Sequence, residues 1–559
     1  MINAIVKKRM AQALLILGPI TTLAVSPSPS YDPINLIKVL CVSTIAFFSL
    51  SLVIYQFHGF KSKLPKSIWI SGALFLAALI STFLFSGANK QQQFWGEFGR
   101  STGFLTYLSL VIIFYATALI QDANFYKNIV KSLIATVVPV TIYCLIQMAG
   151  MDPIGWSTKD TFATLGNINF LSAFLGMTSV SLTFLVLGSS FSFPSKFGLG
   201  LLAVLDLYIV YSTGSIQGVM IYFAGLVVGL FIYIQKTWKS KVLGALYSIS
   251  SLGILILSIF ALMNKGPLAK IIYQPTIIFR TDYWHAGWAM TIHKPIFGVG
   301  LDTYGNWYRA ERGSISTLRT GPNRIANTAH NIFLDISSNG GLPLLLCYIA
   351  ILTFSFIAAI RLYKRNSNFD PIFVSLFSTW FAYQLQSLVS INQIGVGVWG
   401  WILSGSLVGY EICTRDSSGN LNINSGKNKK SRQLVMPAGA GLAGFVGLAV
   451  GFVLAFIPFN ADSKFKTALN SRDMLKMISA TNLLGATSYH AELALDIAIK
   501  SNLAPQARDL AFQLIARHPR NFMGWGAIQT LTSSTPEEKM KAIKILNELD
   551  PFNPDLPKL

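Results

Sequence analysis

Of 559 residues, 52% belong to the apolar and aromatic set and only 12% are charged, about half the charged share of a soluble globular chain. A water-soluble enzyme is excluded for most of the length. Lys and Arg number 44 against 23 Asp and Glu, a net charge of +21. In a chain with recurrent uncharged apolar runs of about 20 residues, that excess belongs in cytoplasmic loops rather than against nucleic acid.

Thirteen runs suited to span a bilayer follow in chain order: 10–25, 34–57, 67–85, 102–120, 129–149, 169–187, 197–211, 216–234, 242–263, 341–360, 372–389, 395–410 and 438–458. The first, behind Lys7, Lys8 and Arg9, also fits a signal peptide, but no clean small-x-small site precedes Ser26, which favours a retained span. Alternate connections hold the basic residues: Lys61, Lys63 and Lys66; Lys127 and Lys131; Lys236, Lys239 and Lys241; Arg361, Lys364 and Arg365; Arg415, Lys427, Lys429, Lys430 and Arg432. One register places all of them in the cytoplasm. It gives a multi-pass protein of the cytoplasmic membrane with its N-terminus inside and, after an odd number of spans, its C-terminus outside.

The expected fold is an all-α polytopic bundle. Spans occupy 1–263, a large extracytoplasmic loop 264–339, further spans 340–459, and a soluble helical domain 460–559. In that domain "LIARHPRN" near Pro519 and "ILNELDPFNP" near Pro551 end two similar units about 32 residues apart, close to the tetratricopeptide period of about 34. Two such units cannot bury their apolar faces alone and require a capping partner or docking against the membrane core. Cys41, Cys144, Cys347 and Cys413 lie in or beside apolar runs without metal-ligand spacing and read as packing residues.

The large loop holds Lys265, Lys270, Arg280, Lys294, Arg309, Arg312, Arg319 and Arg324 against Asp282, Asp302, Glu311 and Asp335. A cationic loop on the translocated side runs against the charge bias. It reads either as a demand for an anionic ligand or as a basic solvated loop, since long loops translocate largely regardless of charge. From Arg280 to Ile292 the spacing predicts a helix lying at the interface, with Tyr283, Trp284 and Trp288 suited to the headgroup level. Arg280 there either grips a diphosphate, its planar fork matching phosphate oxygens two at a time, or snorkels at a helix end.

His330 and Asn331 precede a span, with Asp335 about one helical turn further in. An imidazole of ordinary pKa ~6.5 takes a proton from a hydroxyl at neutral pH, and Asp335 orients the ring if it reaches it; the plainer reading is a hydrogen-bonded helix cap. His285 and His293 show no HExxH pattern and do not suggest zinc. On the same side lie "FWGEFGRSTGFLTY" with Trp95, Glu97, Arg100 and Gly103, "TFATLGNINFLSAFLG" with Gly166, Asn167 and Asn169, and "YSTGSIQGVM" with Gly214, Gln217 and Gly218. Glycines here also serve close helix approach.

Together "GRSTG", "GNIN", "STGSIQG", "RTDYW…M…PIFGVGLDTY" and "AHNIFLD…NGGLP" resemble the superfamily of O-antigen ligases, O-antigen polymerases and bacterial O-oligosaccharyltransferases, over most of 86–410. The resemblance implies a GT-C-like helical bundle with a lipid-open cavity at its outer face, a glycan donor preassembled on a polyprenyl diphosphate, and no metal or other cofactor. It maps the family's loop arginine onto Arg280, for the diphosphate, and its histidine onto His330, for activating the acceptor. Many members carry an arginine in the turn where this chain has Ser215-Ile216-Gln217. Gln217 donates hydrogen bonds but no charge. Arg100 or loop arginines such as Arg309 and Arg312 are then left to complete the donor site, with Asn167, Tyr283, Trp284 and Asn331 as further contacts. The tail matches only variants with tetratricopeptide-like extensions.

The function so implied is a membrane glycosyltransferase moving a glycan from a polyprenyl-diphosphate carrier to an acceptor hydroxyl on the outer face. A polysaccharide polymerase and a lipid-linked glycan flippase are the alternatives. The acceptor, whether lipid, glycan or protein, is not legible. A transporter would show repeated halves and mid-membrane ionisable groups, whereas charge here concentrates in one loop.

Overall fold

The computed structural model describes residues 3–188, 191–273, 275–417 and 436–558. Every regular element among them is helical. The expected apolar runs form α1 (Ala4–Leu23), α2 (Asn35–Tyr55), α3 (Lys66–Phe85), α4 (Phe104–Ile120), α5 (Ala123–Met148), α6 (Ile168–Val186) and α7 (Phe193–Ser212). They continue in α8 (Ile216–Tyr233), α9 (Lys241–Leu262), α10 (Ile332–Arg365), α11 (Pro371–Ser387), α12 (Ile394–Ser417) and α13 (Ala438–Asn470). Against the thirteen spans expected, ten of these helices are long and apolar enough to cross a membrane. The others are α1, with its Lys7-Lys8-Arg9 cluster, and the 17-residue α4 and α11.

Connections fall alternately at two ends of the bundle. One end gathers basic segments: Lys7 donates to the Gln121 carbonyl (3.4 Å), Gln121 to the Lys63 carbonyl (2.6 Å), and Lys239 to Asn368 (3.3 Å). Lys427, Lys429, Lys430 and Arg432 lie outside the described residues. The opposite end carries the polar loops singled out above. Between the ends, α6 and α12 are enclosed by other helices, whereas α9 turns Ile249, Ile254 and Leu255 outward, as a lipid-facing helix must.

Local chemistry fixes the loop end. Lys38 on α2 donates to the Thr21, Thr22 and Ala24 carbonyls (2.9, 2.8 and 3.0 Å), closing the C-terminus of α1 with a cation. A Cβ on Gly218 would collide with the Ser172 carbonyl, so glycine lets α8 approach α6. Ser215 then bonds Asn169 Oδ1 (2.9 Å) and Ser172 Oγ (2.8 Å). The helix expected from Arg280 to Ile292 appears as Pro275–His293, with Trp288 and Ile292 exposed. Helix α10 bends at Gly341 (φ 77°, ψ 173°), a backbone shape glycine adopts at little cost. Its first turns therefore belong to the loop, where the Val299 and Gly300 N–H groups donate to the Ser338 and Asn339 carbonyls (2.8 and 3.0 Å).

Helix α13 runs from the bundle into the tail without a break. There α14 (Met474–Thr481), α15 (Ser488–Lys500), α16 (Ala504–Arg517), α17 (Phe522–Thr530) and α18 (Pro536–Leu549) each pack on a chain neighbour, around Phe465, Leu495, Leu510 and Trp525. The docking surface such a tail requires is the bundle itself. Buried Asp462 accepts from Ser30 Oγ (2.6 Å) and the Tyr31 and Asp32 N–H groups (2.5 and 3.1 Å), and faces His490 Nε2 at 2.9 Å. The rings of Phe98 and Tyr489 stack at 4.2 Å.

Candidate active site

A cavity of about 200 Å³ at the loop end is lined by Arg100, Asn167, Arg280 and His330, with Asn35 and Gln393 beside them. Three segments far apart in sequence thus bring two guanidiniums and one imidazole to a common space, and no described lining residue carries a carboxylate.

Arg100 sits on a loop clamped from behind. Asp302 accepts from the Glu97 and Thr102 N–H groups (2.8 and 2.9 Å), and Asn35 donates to the Gly99 carbonyl (3.0 Å). Nε and Nη2 of Arg100 both donate to Asn327 Oδ1 (3.1 and 2.8 Å), which orients the guanidinium plane. Burial works against its charge, while Asp302, Asp335 and Asp32 favour it. Arg280 Nη2 donates to Gln217 Oε1 (3.1 Å), a bond an arginine at 217 could not accept, so the departure from the family pattern becomes a support for Arg280. Burial lowers its pKa too.

His330 has a left-handed backbone (φ 51°), uncommon for a residue with a side chain and a form of strain that clusters at functional sites. Its Nδ1 lies 3.1 Å from Thr328 Oγ1 and 3.3 Å from the Thr328 carbonyl. A carbonyl only accepts, so this contact favours the Nδ1–H tautomer and leaves Nε2 to take a proton. Burial, then the positive charges of Arg100 and Arg280, push its pKa down to about 4 against the opposing Thr328 carbonyl. The ring is neutral at pH 7.

Asp335 corrects an expectation. It accepts the Ala329 N–H (2.6 Å) instead of reaching the imidazole, because the left-handed turn at His330 separates the ring from the helix that carries the carboxylate. It holds the backbone of the residue that precedes His330. Asn331 is the helix cap, accepting from the Phe333 and Leu334 N–H groups (3.0 and 3.2 Å). Tyr283 packs on the His330 ring (5.0 Å between centroids) and on Tyr308, next to the cavity rather than lining it. Trp284 is not among the cavity's lining residues, and its Nε1 is buried without a partner.

Arg309 and Arg312 are placed elsewhere. Fully buried Arg312 donates from Nη2 to both oxygens of Asp550 (2.8 and 2.7 Å), and Arg309 reaches the same carboxylate at 3.0 Å. Both also bond the Pro322 carbonyl. Their ligand is the tail. Arg520 answers from the other side, its guanidinium 3.6 Å from the Trp307 ring centre.

Asn35, Asn327 and the Ser390–Gln393 connection escaped the sequence reading. The visible signal for the last was a polar "SINQ" break between the apolar runs 372–389 and 395–410, on the same side as the other loops. Residues 201–349 match the family model described as O-antigen ligase. Over that segment the chain is similar to the O-antigen ligase family. No curated protein matches the chain. The matched segment holds Gln217, Arg280, His330 and Asp335, while Arg100, Asn167 and Gln393 reach the cavity from outside it.

Proposed function

We propose that this protein is a membrane glycosyltransferase that transfers a glycan from a polyprenyl diphosphate to an acceptor hydroxyl. The observation that carries the reading is the convergence of Arg100, Arg280 and His330 on one cavity. The acceptor oxygen attacks the anomeric carbon, the bond from that carbon to the diphosphate oxygen breaks, and polyprenyl diphosphate leaves. Arg100 and Arg280 hold the charge that develops on the leaving group, and His330 Nε2 takes the acceptor proton. Preorganised donors in a water-poor site stabilise such charge without reorganising, and co-location of the reactants supplies the rest.

A base with pKa near 4 is weak, but the same arginines that depress it are the groups a diphosphate neutralises. Donor binding therefore raises the basicity of His330 as the acceptor arrives. The basic connections at the opposite end favour an orientation with the cavity on the outer face of the cytoplasmic membrane. The tail, read as a tetratricopeptide-like domain, then lies outside.

The decisive test is His330→Ala in purified, lipid-reconstituted protein supplied with polyprenyl-diphosphate glycan. A fall in turnover of about 10²–10⁴-fold is expected for loss of a positioned base; near-normal transfer would overturn the assignment. Glycan profiling of a deletion strain separates the two family reactions. Accumulation of finished chains on carrier lipid means a ligase, and loss of long chains means a polymerase.

A further inference from the structure

Beside the two arginines, the cavity is lined by the neutral amides of Asn167, Asn169 and Gln393. Asn167 Oδ1 accepts the Asn169 N–H (2.8 Å), Asn169 Oδ1 accepts from Ser215 Oγ (2.9 Å), and Gln393 Oε1 accepts the Val396 N–H at the start of α12 (3.0 Å). Each of these carbonyl oxygens thus accepts a hydrogen bond from the protein. Gln393 is only 5% exposed, yet its Nε2 has no hydrogen-bond partner. Gln217, 4% exposed behind Arg280, shares this state: its Oε1 is taken by Arg280 and its Nε2 has no partner. A buried amide N–H left unmade is costly, and native structures rarely leave one without a reason.

These three amides therefore have N–H groups to offer to oxygen acceptors. A diphosphate is one source of oxygens, but its charge is matched by Arg100 and Arg280. Amides neutralise no charge, and they suit neutral oxygens bonded next to it. We propose that Asn167, Asn169 and Gln393 form a subsite for the saccharide joined to the diphosphate, donating to its ring and substituent oxygens and so selecting glycan-loaded carrier over spent carrier. The inference rests on the donor assignment above.

The test compares binding of a polyprenyl diphosphate bearing a single hexose with binding of the bare polyprenyl diphosphate, by calorimetry in nanodiscs. Two variants remove a donor while keeping its structural acceptor. Asn167→Ser retains a good helix cap without the NH₂, and Gln393→Glu retains the oxygen bonded to Val396 without the NH₂. Wild-type protein is expected to bind the loaded carrier more tightly than the bare one. Asn167→Ser is expected to lose about three- to tenfold in affinity for the loaded carrier, the worth of a typical net hydrogen bond, with the bare carrier unchanged.

Gln393→Glu also adds a negative charge, so it is scored on the ratio of loaded to bare affinity, which is expected to fall. An equal loss for both carriers in Asn167→Ser would assign the wall to phosphate and overturn the proposal, as would no change for either. Failure of the wild type to bind both carriers would instead remove the donor reading itself.

Discussion

Two pairs of arginines in this protein, close in chemistry, have opposite fates. Arg100 and Arg280 are steadied by neutral amides, Asn327 and Gln217, and keep their charge for the cavity. Arg309 and Arg312 are consumed by the Asp550 carboxylate of the tail. The partner decides the role: an amide orients a guanidinium without neutralising it, whereas a buried carboxylate completes an ion pair and leaves little for a ligand. The same contrast explains why the tail is needed at the site end. It supplies the counter-charge that pins the loop between Tyr304–Glu311 and His330.

The largest effect that would test this contrast is on turnover. Arg280→Lys keeps the charge but loses the fork, and is expected to lower kcat/KM by about 10²–10³-fold, the size seen for removing one preorganised donor, with the thermal unfolding midpoint unchanged. Arg309→Lys in the same assay should retain most of the wild-type turnover. If the two variants lost activity equally, the division into ligand-facing and structural arginines would fail.

Next in size is the ion pair itself. Asp550→Ala leaves Arg312 buried without its counter-ion, and breaking one side of such a pair costs on the order of 3–5 kcal/mol. The expected result is a lowered unfolding midpoint and new proteolytic cleavage between Arg312 and Arg324, with reduced turnover as a consequence of the loosened loop. A variant with an unchanged midpoint and an intact loop would show that the tail is not a clamp.

How much of this was readable in advance follows the range of the interactions involved. The apolar helices and the helix that carries Arg280 were legible because apolar runs and helical spacing are local. Arg280 and His330 stood out because a guanidinium and an imidazole carry distinctive chemistry and because the segments that hold them carry the family resemblance. The role of Arg312 was not legible, since it depends on Asp550, which lies beyond four more helices of the bundle and the helices of the tail. Asp335 failed for a subtler reason: its spacing from His330 assumed helical backbone, and the left-handed turn at His330 breaks that geometry. Gln393 was missed because a lone amide in a short connection carries no signal until its neighbours are known.

A smaller effect concerns pH. With its pKa pushed down to about 4, His330 stays neutral through the acid range where an ordinary imidazole would protonate, so the acid limb of kcat/KM is expected near pH 4 rather than 6.5. The limb on kcat should lie higher, because bound diphosphate offsets the arginines and protonation becomes easier. Arg280→Gln removes one positive neighbour and should raise the His330 pKa in a histidine-resolved NMR titration of the free protein. Arg309→Gln, whose charge already belongs to Asp550, should leave it in place.

The smallest effect decides where Asn331 belongs. Its Oδ1 is committed to two N–H groups of α10, so Asn331→Ala should cost about 1 kcal/mol of stability, the usual worth of an N-cap, and Asn331→Ser should recover most of it. Neither change should alter the KM for donor, because the group lost faces the helix and not the cavity. A rise in donor KM at an unchanged unfolding midpoint would place Asn331 with Arg100 and Arg280 among the ligand-facing groups. The principle drawn from the arginines, that a side chain already satisfied by the fold has little left for substrate, would then fail one residue away from the proposed base.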